Sequence, residues 1–177
     1  GGHALRTCEI FFDAVKVPAD RLVGELHNGW INLIPLLTKE RAALAAMCVG
    51  AAQAAVDDAV KYAKERVQFG RPIGKFQAIQ HKLVDMQIAV DAARLLTYQA
   101  GHLLARGEPA DRECSSAKIF ASDTYVQVAV EGIQVLGGYG YSMEFDMQRH
   151  FRESKLFQIF GGTNEIQRLV VARQLTL

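Results

Sequence analysis

The chain has 177 residues, half of them hydrophobic and 22% charged, enough length and apolar material for one well-packed domain. Lys and Arg number 20 against 19 Asp and Glu, so no global basic field is present to recruit nucleic acid or an anionic membrane. Cys8, Cys48 and Cys114 are odd in number, far apart and outside any CxxC pattern, which supplies neither a disulfide framework nor a zinc site and fits a reducing compartment.

The amino terminus begins at Gly1, as a processed product would, and lacks the basic-then-apolar pattern of a signal peptide. No run approaches the roughly 18 to 20 uninterrupted apolar residues of a membrane span, so a soluble chain is the expectation. Residues 9–17 mix β-branched and aromatic residues with partial alternation and stop at Pro18, which predicts one strand. Everything after it reads as helix. A lone strand leaves its ladder hydrogen bonds unmade, so its sheet is expected to belong to a part of the protein outside this chain.

After a turn over residues 24–30, apolar positions recur at Leu33, Leu37, Leu44, Cys48, Ala51, Ala55 and Ala59, predicting one very long helix towards Arg66. Gly70, Pro72 and Gly74 mark the loop that ends it. Phe76, Ile79, Leu83, Met86, Val90 and Ala93 predict a second helix ending near Gly107, with Pro109 in the first turn of a third. That third helix carries Ala117, Phe120, Ala121, Val128 and Val135 and stops at Gly137-Gly138-Tyr139-Gly140. A shorter fourth covers residues 145–157. A fifth opens after Gly161-Gly162, where Asn164 and Gln167 have capping-box spacing. The predicted fold is all-α, an antiparallel four-helix bundle with an extra carboxy-terminal helix, preceded by the orphan strand.

Glu40 falls between Leu37 and Leu44 on the stripe that otherwise reads as core-facing, so its carboxylate is expected to point to the packed side of the first helix. A carboxylate out of water is paired or has a raised pKa, and the second state is what a general base near neutrality uses. From spacing alone both readings stand, the ion pair being the commoner. The glycines at 137, 138 and 140 could admit a cofactor to the backbone or simply cap a helix. The residues from Gly161 to Glu165 open a helix whose free amides could receive an anion, yet GxxxxGK[ST] and GxGxxG are both absent. The five histidines form no HExxH pair and no serine sits in GxSxG, so metal and serine-hydrolase chemistry lack support.

Three stretches together resemble one family. Glu65-Arg66-Val67-Gln68-Phe69-Gly70-Arg71-Pro72-Ile73, followed by Phe76-Gln77-Ala78-Ile79-Gln80, is similar to a characteristic segment of acyl-CoA dehydrogenases. So are Gln134-Val135-Leu136-Gly137-Gly138-Tyr139-Gly140 and Ile159-Phe160-Gly161-Gly162-Thr163-Asn164-Glu165-Ile166-Gln167-Arg168, in the same order and spacing. The stretch Phe12–Ala19 with Gly24-Glu25 resembles the family's exit from its middle β domain. By this resemblance residues 1–25 are a remnant of that domain with its linker, and residues 26–177 are the carboxy-terminal helical bundle domain.

The resemblance implies an FAD enzyme that converts acyl-CoA to trans-2-enoyl-CoA, as in fatty acid β-oxidation, with this piece inactive alone. Arg66, Phe69 and Gln77 are expected to contact FAD across a subunit boundary, with Gln134, Gly137 and Gly138 approaching from the neighbouring chain and Thr163 and Glu165 lining the same cofactor. Arg41 is expected to hold the CoA moiety, although Thr38 stands where the family commonly has an acid. Most members carry the base just before Gly-Thr, where this chain has Gly161. The long-chain and isovaleryl branches place it before an Arg on the first helix, where this chain has Glu40. Glu40 is therefore the expected base, with Gly161 and Gly162 at the substrate. Implied partners are a homo-oligomer, dimer or tetramer, and electron-transferring flavoprotein as acceptor, in a bacterial cytoplasm or in a eukaryotic mitochondrial matrix or peroxisome. An acyl-CoA oxidase-like enzyme and a non-catalytic assembly module are the alternatives.

Overall fold

The structure, a computed structural model, describes residues 8–176. Six helices are present among them: α1 (Gly29–Glu65), α2 (Gln77–Ala105), α3 (Asp111–Leu136), α4 (Gly138–Tyr141), α5 (Met147–Phe157) and α6 (Asn164–Gln174). A two-stranded hairpin, β1 (Val67–Gln68) and β2 (Arg71–Pro72), separates α1 from α2. The all-α expectation holds.

Side-chain pairings set the helix directions. Thr38 near the start of α1 meets Asp111 at the start of α3, and the Tyr62 ring near the end of α1 meets Tyr139 just past α3, so these two helices run parallel. Gln53 in α1 pairs with Gln87 and Arg94 of α2, and Ala63 lies against Gly74 just before α2, which makes α2 antiparallel to α1. α5 and α6 both pack on α3 and complete the bundle.

Small side chains let these helices approach closely. Ala45, Ala52, Ala55, Ala59 and Ala63 of α1, Ala93 and Ala100 of α2, and Ala117, Ala121 and Ala129 of α3 are all buried. α1 is long and apolar enough, by length and composition, to cross a membrane, but this alanine face is the core of the bundle. Cys48 and Cys114 lie in the same core, where burial pushes their thiols up to about 12 and about 11 and keeps them protonated.

Four local expectations are corrected. Residues 9–17 form no strand: no other described segment pairs with them, Ala14 sits at φ 47°, and Ile10, Phe11 and Phe12 are exposed. The loop after α1 is a hairpin whose two turn residues, Phe69 and Gly70, both have positive φ (50° and 80°), the backbone of a type I′ turn. Pro109 lies before α3 rather than in its first turn, with Ala110 at the cap position. Thr163, not Asn164, caps α6: its Oγ1 accepts from the Ile166 amide at 3.3 Å, while Asn164 and Gln167 are buried.

Candidate functional site

The sequence-predicted residues gather in two places. The first is a cleft of about 1060 Å³ walled by the end of α1, the hairpin, the start of α2 and the α3–α4 junction, and lined by Arg66, Phe69, Gln134, Gly137 and Gly138 among others. The hairpin holds Phe69 out of the fold at 92% exposure, touched by the edge of Phe76 at a ring separation of 6.1 Å. An aromatic held at positive φ and left in solvent does nothing for this chain's own core, which marks it as a contact for something else. The Arg66 guanidinium lies 5.5 Å from the centre of the Tyr139 ring, a cation–π contact that aims it over the cleft. Gly137 closes α3 at φ 63°, ψ −140°, a conformation essentially restricted to glycine, so the backbone turns there and leaves Gly138 facing open space. Gln77 is exposed and does not line this cleft.

The second place is where the start of α1 meets the loop between α5 and α6. Here the structure corrects the sequence: Glu40 is exposed, and the buried face of α1 runs through Thr38, Leu44, Ala45 and Cys48. The small alanines set the true phase of that face, and Arg41 rather than Glu40 lies on it. Arg41 is 11% exposed, its Nη1 is 4.0 Å from Asp111 Oδ1, and its Nε is buried without an acceptor among the described residues. Thr38 Oγ1 donates its one proton to the same Asp111 carboxylate, with Ile34 O 3.3 Å away as the alternative acceptor.

Gly161 has φ 62°, and the space where its side chain would begin is bounded by Leu44 Cδ1 and, at 3.8 Å, by Glu40 Oε1. Glu40 and Gly161 therefore adjoin one point from two elements. Thr163 and Glu165 are adjacent at the mouth of α6, where Glu165 is exposed and hydrogen bonds to its own backbone and to Thr163 hold its carboxyl below the usual range.

Sequence reasoning missed the polar cluster beneath this loop. Lys118 of α3 is 1% exposed and donates to Gly162 O at 2.9 Å and Asn164 Oδ1 at 2.8 Å. Asn164 Nδ2 donates in turn to Ser122 Oγ and Asp123 Oδ1, both at 2.8 Å, and Gln167 Nε2 donates to the carbonyls of Gly161 and Gly162, both at 3.1 Å. One signal was available: Lys118 falls on the same helical stripe as Ala121, Tyr125 and Val128, where a cation demands partners.

A family model described as "Acyl-CoA dehydrogenase, C-terminal domain" matches residues 27–176. The chain therefore belongs to the acyl-CoA dehydrogenase family, as its carboxy-terminal helical domain. It is 44% identical over 169 residues to the 3-(aryl)acrylate reductase of Clostridium sporogenes, a match covering 96% of this chain and 45% of that one. Among solved structures it is similar to butyryl-CoA dehydrogenase from Megasphaera elsdenii, with TM-score 0.92 and 43% identity over 94% of this chain and 43% of that one. It is also similar to the FAD complex of PigA, with TM-score 0.88 and 30% identity over 94% of this chain and 43% of that one. The chain spans about half the length of the curated relatives it matches.

Proposed function

We propose that this chain supplies one half of an FAD-dependent acyl-CoA dehydrogenase that desaturates an acyl-CoA thioester between its α and β carbons. Residues 1–25 are then the end of a middle β domain, and the bare, apolar run at Ile10, Phe11 and Phe12 is the segment that domain would take into its sheet. The observation that carries the reading is the convergence of Glu40 and Gly161 on one point, with Leu44 filling the space a longer side chain at 161 would need. A carboxylate reaching that point from α1 can do what a carboxylate at 161 would do. The similar chains include a butyryl-CoA enzyme and an arylacrylate reductase, so the likeness to long-chain and isovaleryl base placement rests on these two positions alone.

The first cleft fits a dinucleotide cofactor. It offers a guanidinium at Arg66 for a diphosphate, an aromatic face at Phe69, the amide of Gln134, and backbone at Gly137 and Gly138 unshielded by side chains. Bound FAD would accept the β hydrogen as hydride. Glu40 takes the α proton on its carboxylate. Arg41, held by a single long ion pair to Asp111, keeps guanidinium donors for the CoA moiety. The amide of Gly161 donates to the thioester oxygen, where charge accumulates as the α proton leaves. The acyl-CoA substrate, self-association as a dimer or tetramer, and electron-transferring flavoprotein as acceptor belong to this same reading.

Glu40→Gln in the intact enzyme tests it. The amide keeps the shape and cannot take a proton, so flavin content and acyl-CoA binding should stay near wild type while flavin reduction slows by roughly 100- to 10,000-fold. Reduction at the wild-type rate would place the base elsewhere.

A further inference from the structure

The loop between α5 and α6 is gripped from behind. Gln167, fully buried, holds the carbonyls of Gly161 and Gly162, and the ammonium of Lys118 holds the Gly162 carbonyl a second time. A trans peptide sets each carbonyl anti to the next N–H, and the described residues contain no cis bond. With both carbonyls drawn inward, the amides of Gly162 and Thr163 face away from Lys118 and Gln167. Among the described residues, the N–H groups of Gly161, Gly162 and Thr163 have no acceptor.

Lys118 is not placed there for packing. An apolar side chain could supply the packing of its stem, and burial works against its charge, lowering its pKa. The ammonium is held by two acceptors that carry no charge, Gly162 O and Asn164 Oδ1, with Asp123 beyond Asn164. A cation bonded to a carbonyl polarises the whole peptide unit and makes the N–H at its other end a stronger donor.

We propose that Lys118 is a positioning residue for the reaction: through the Gly162 carbonyl it polarises the Thr163 N–H and fixes the 161–163 loop, so that the free amides there favour a thioester oxygen carrying negative charge over a neutral one. This rests on the reading above, in which the loop meets the thioester. On this account Lys118 touches neither substrate nor cofactor. Its positive charge is delivered through the Gly162–Thr163 peptide to the Thr163 N–H, while the Gly161 N–H beside it is held by the tie of the loop; the inward carbonyls keep their negative ends away from the oxygen that becomes anionic. Gln167 supplies the same orientation without the charge.

The test is equilibrium binding to the intact flavoenzyme with two four-carbon probes. Acetoacetyl-CoA ionises readily at its α carbon and can bind as the enolate; crotonyl-CoA is a neutral thioester. In Lys118→Met, crotonyl-CoA affinity should change less than about threefold. Preference for acetoacetyl-CoA should fall roughly tenfold, the scale of a lost charge-assisted hydrogen bond, with the pH at which it ionises on the enzyme moving up. Ser122→Ala loosens the same cluster at Asn164 but leaves the Lys118 to Gly162 bond, and should lower thermal stability without changing the preference. If Lys118→Met does not retain flavin, Lys118→Gln, which keeps a donor and loses the charge, takes its place with the same expected fall. An unchanged preference in the folded Lys118 variant, or an equal change in Ser122→Ala, overturns the inference while the functional reading stands. Wild-type enzyme that binds neither probe overturns both.

Discussion

Glu40 and Gly161 share a point in space: Oε1 of the carboxylate is 3.8 Å from where a side chain on Gly161 would start, and Leu44 Cδ1 already occupies that position. Moving the carboxylate from α1 to the loop therefore needs more than one substitution. Gly161→Glu in a Glu40→Gln background meets Leu44 Cδ1 and puts a non-glycine residue at φ 62°, a strain on the order of 1 kcal/mol or more. Little rescue is expected from that pair. Adding Leu44→Ala opens the space, and single-turnover flavin reduction should then recover in part. Equal rescue with and without Leu44→Ala would show that Leu44 does not gate the position.

Arg66 offers a second test. Its guanidinium is aimed over the cleft by Tyr139 and makes no ion pair among the described residues, so its charge is unspent within this chain. Arg66→Ala in the intact enzyme should lower FAD retention by roughly 10- to 100-fold, the scale of a lost charged hydrogen bond or two, and leave the reduction rate of the flavin that stays bound near wild type. Flavin content after gel filtration and single-turnover reduction separate the two effects. Unchanged FAD affinity would sink the assignment.

The chain by itself should be helical and hold little or no FAD. The first cleft is open on one side, and Phe69 projects from it without a neighbour to close over a cofactor. Visible absorbance of the purified chain checks this, and stoichiometric flavin would contradict it.

Stability should carry a histidine signature. His150 is buried against Tyr125, whose hydroxyl lies 2.9 Å from Nδ1, and burial holds the imidazole below its ordinary pKa, with Arg149 adding to the effect and Asp58, Asp146 and Glu153 opposing it. The folded state thus resists a proton that the unfolded chain takes up at about pH 6.5. This contribution to stability is complete above that pH and is lost as pH falls from there through the lower folded value, at up to about 1.4 kcal/mol per pH unit. Melting temperature measured from pH 7 to pH 5 should fall, and less steeply in His150→Gln, which keeps a partner for Tyr125. Parallel slopes would assign the acid sensitivity to other groups.

The sequence showed most of the helices and blurred what depends on small or distant residues. Helix existence and order were legible because Val90, Met86, Val128 and Val135 repeat at helical spacing. The stripe of α1 was legible from Leu44 through Cys48, Ala55 and Ala59, which are all buried, but not in its first turns, where Leu33 is exposed, Leu37 is half-buried and Thr38 and Arg41 turn inward instead. That shift is what put Glu40 inside on paper and outside in the fold. The strand at residues 9–17 had strand composition, yet pairing comes from a neighbour that these residues lack here. Of the site, the glycine loops and Arg66 were readable as motifs, while the grip of Lys118 on the loop was not, since it joins α3 to residues more than forty positions later.

α1 runs 37 residues, with Glu40 about three turns from its start and Arg66 capping its end. At 1.5 Å per residue they are separated by roughly 39 Å along the axis. On the proposed function, the proton acceptor and the diphosphate-binding guanidinium of one chain therefore stand far apart along the same helix. If each centre draws Glu40 from one copy and Arg66 from another, a mixed assembly with a lesion at Glu40 in one copy and at Arg66 in the other should regain activity that neither variant has alone; no regain would assign both residues to separate centres.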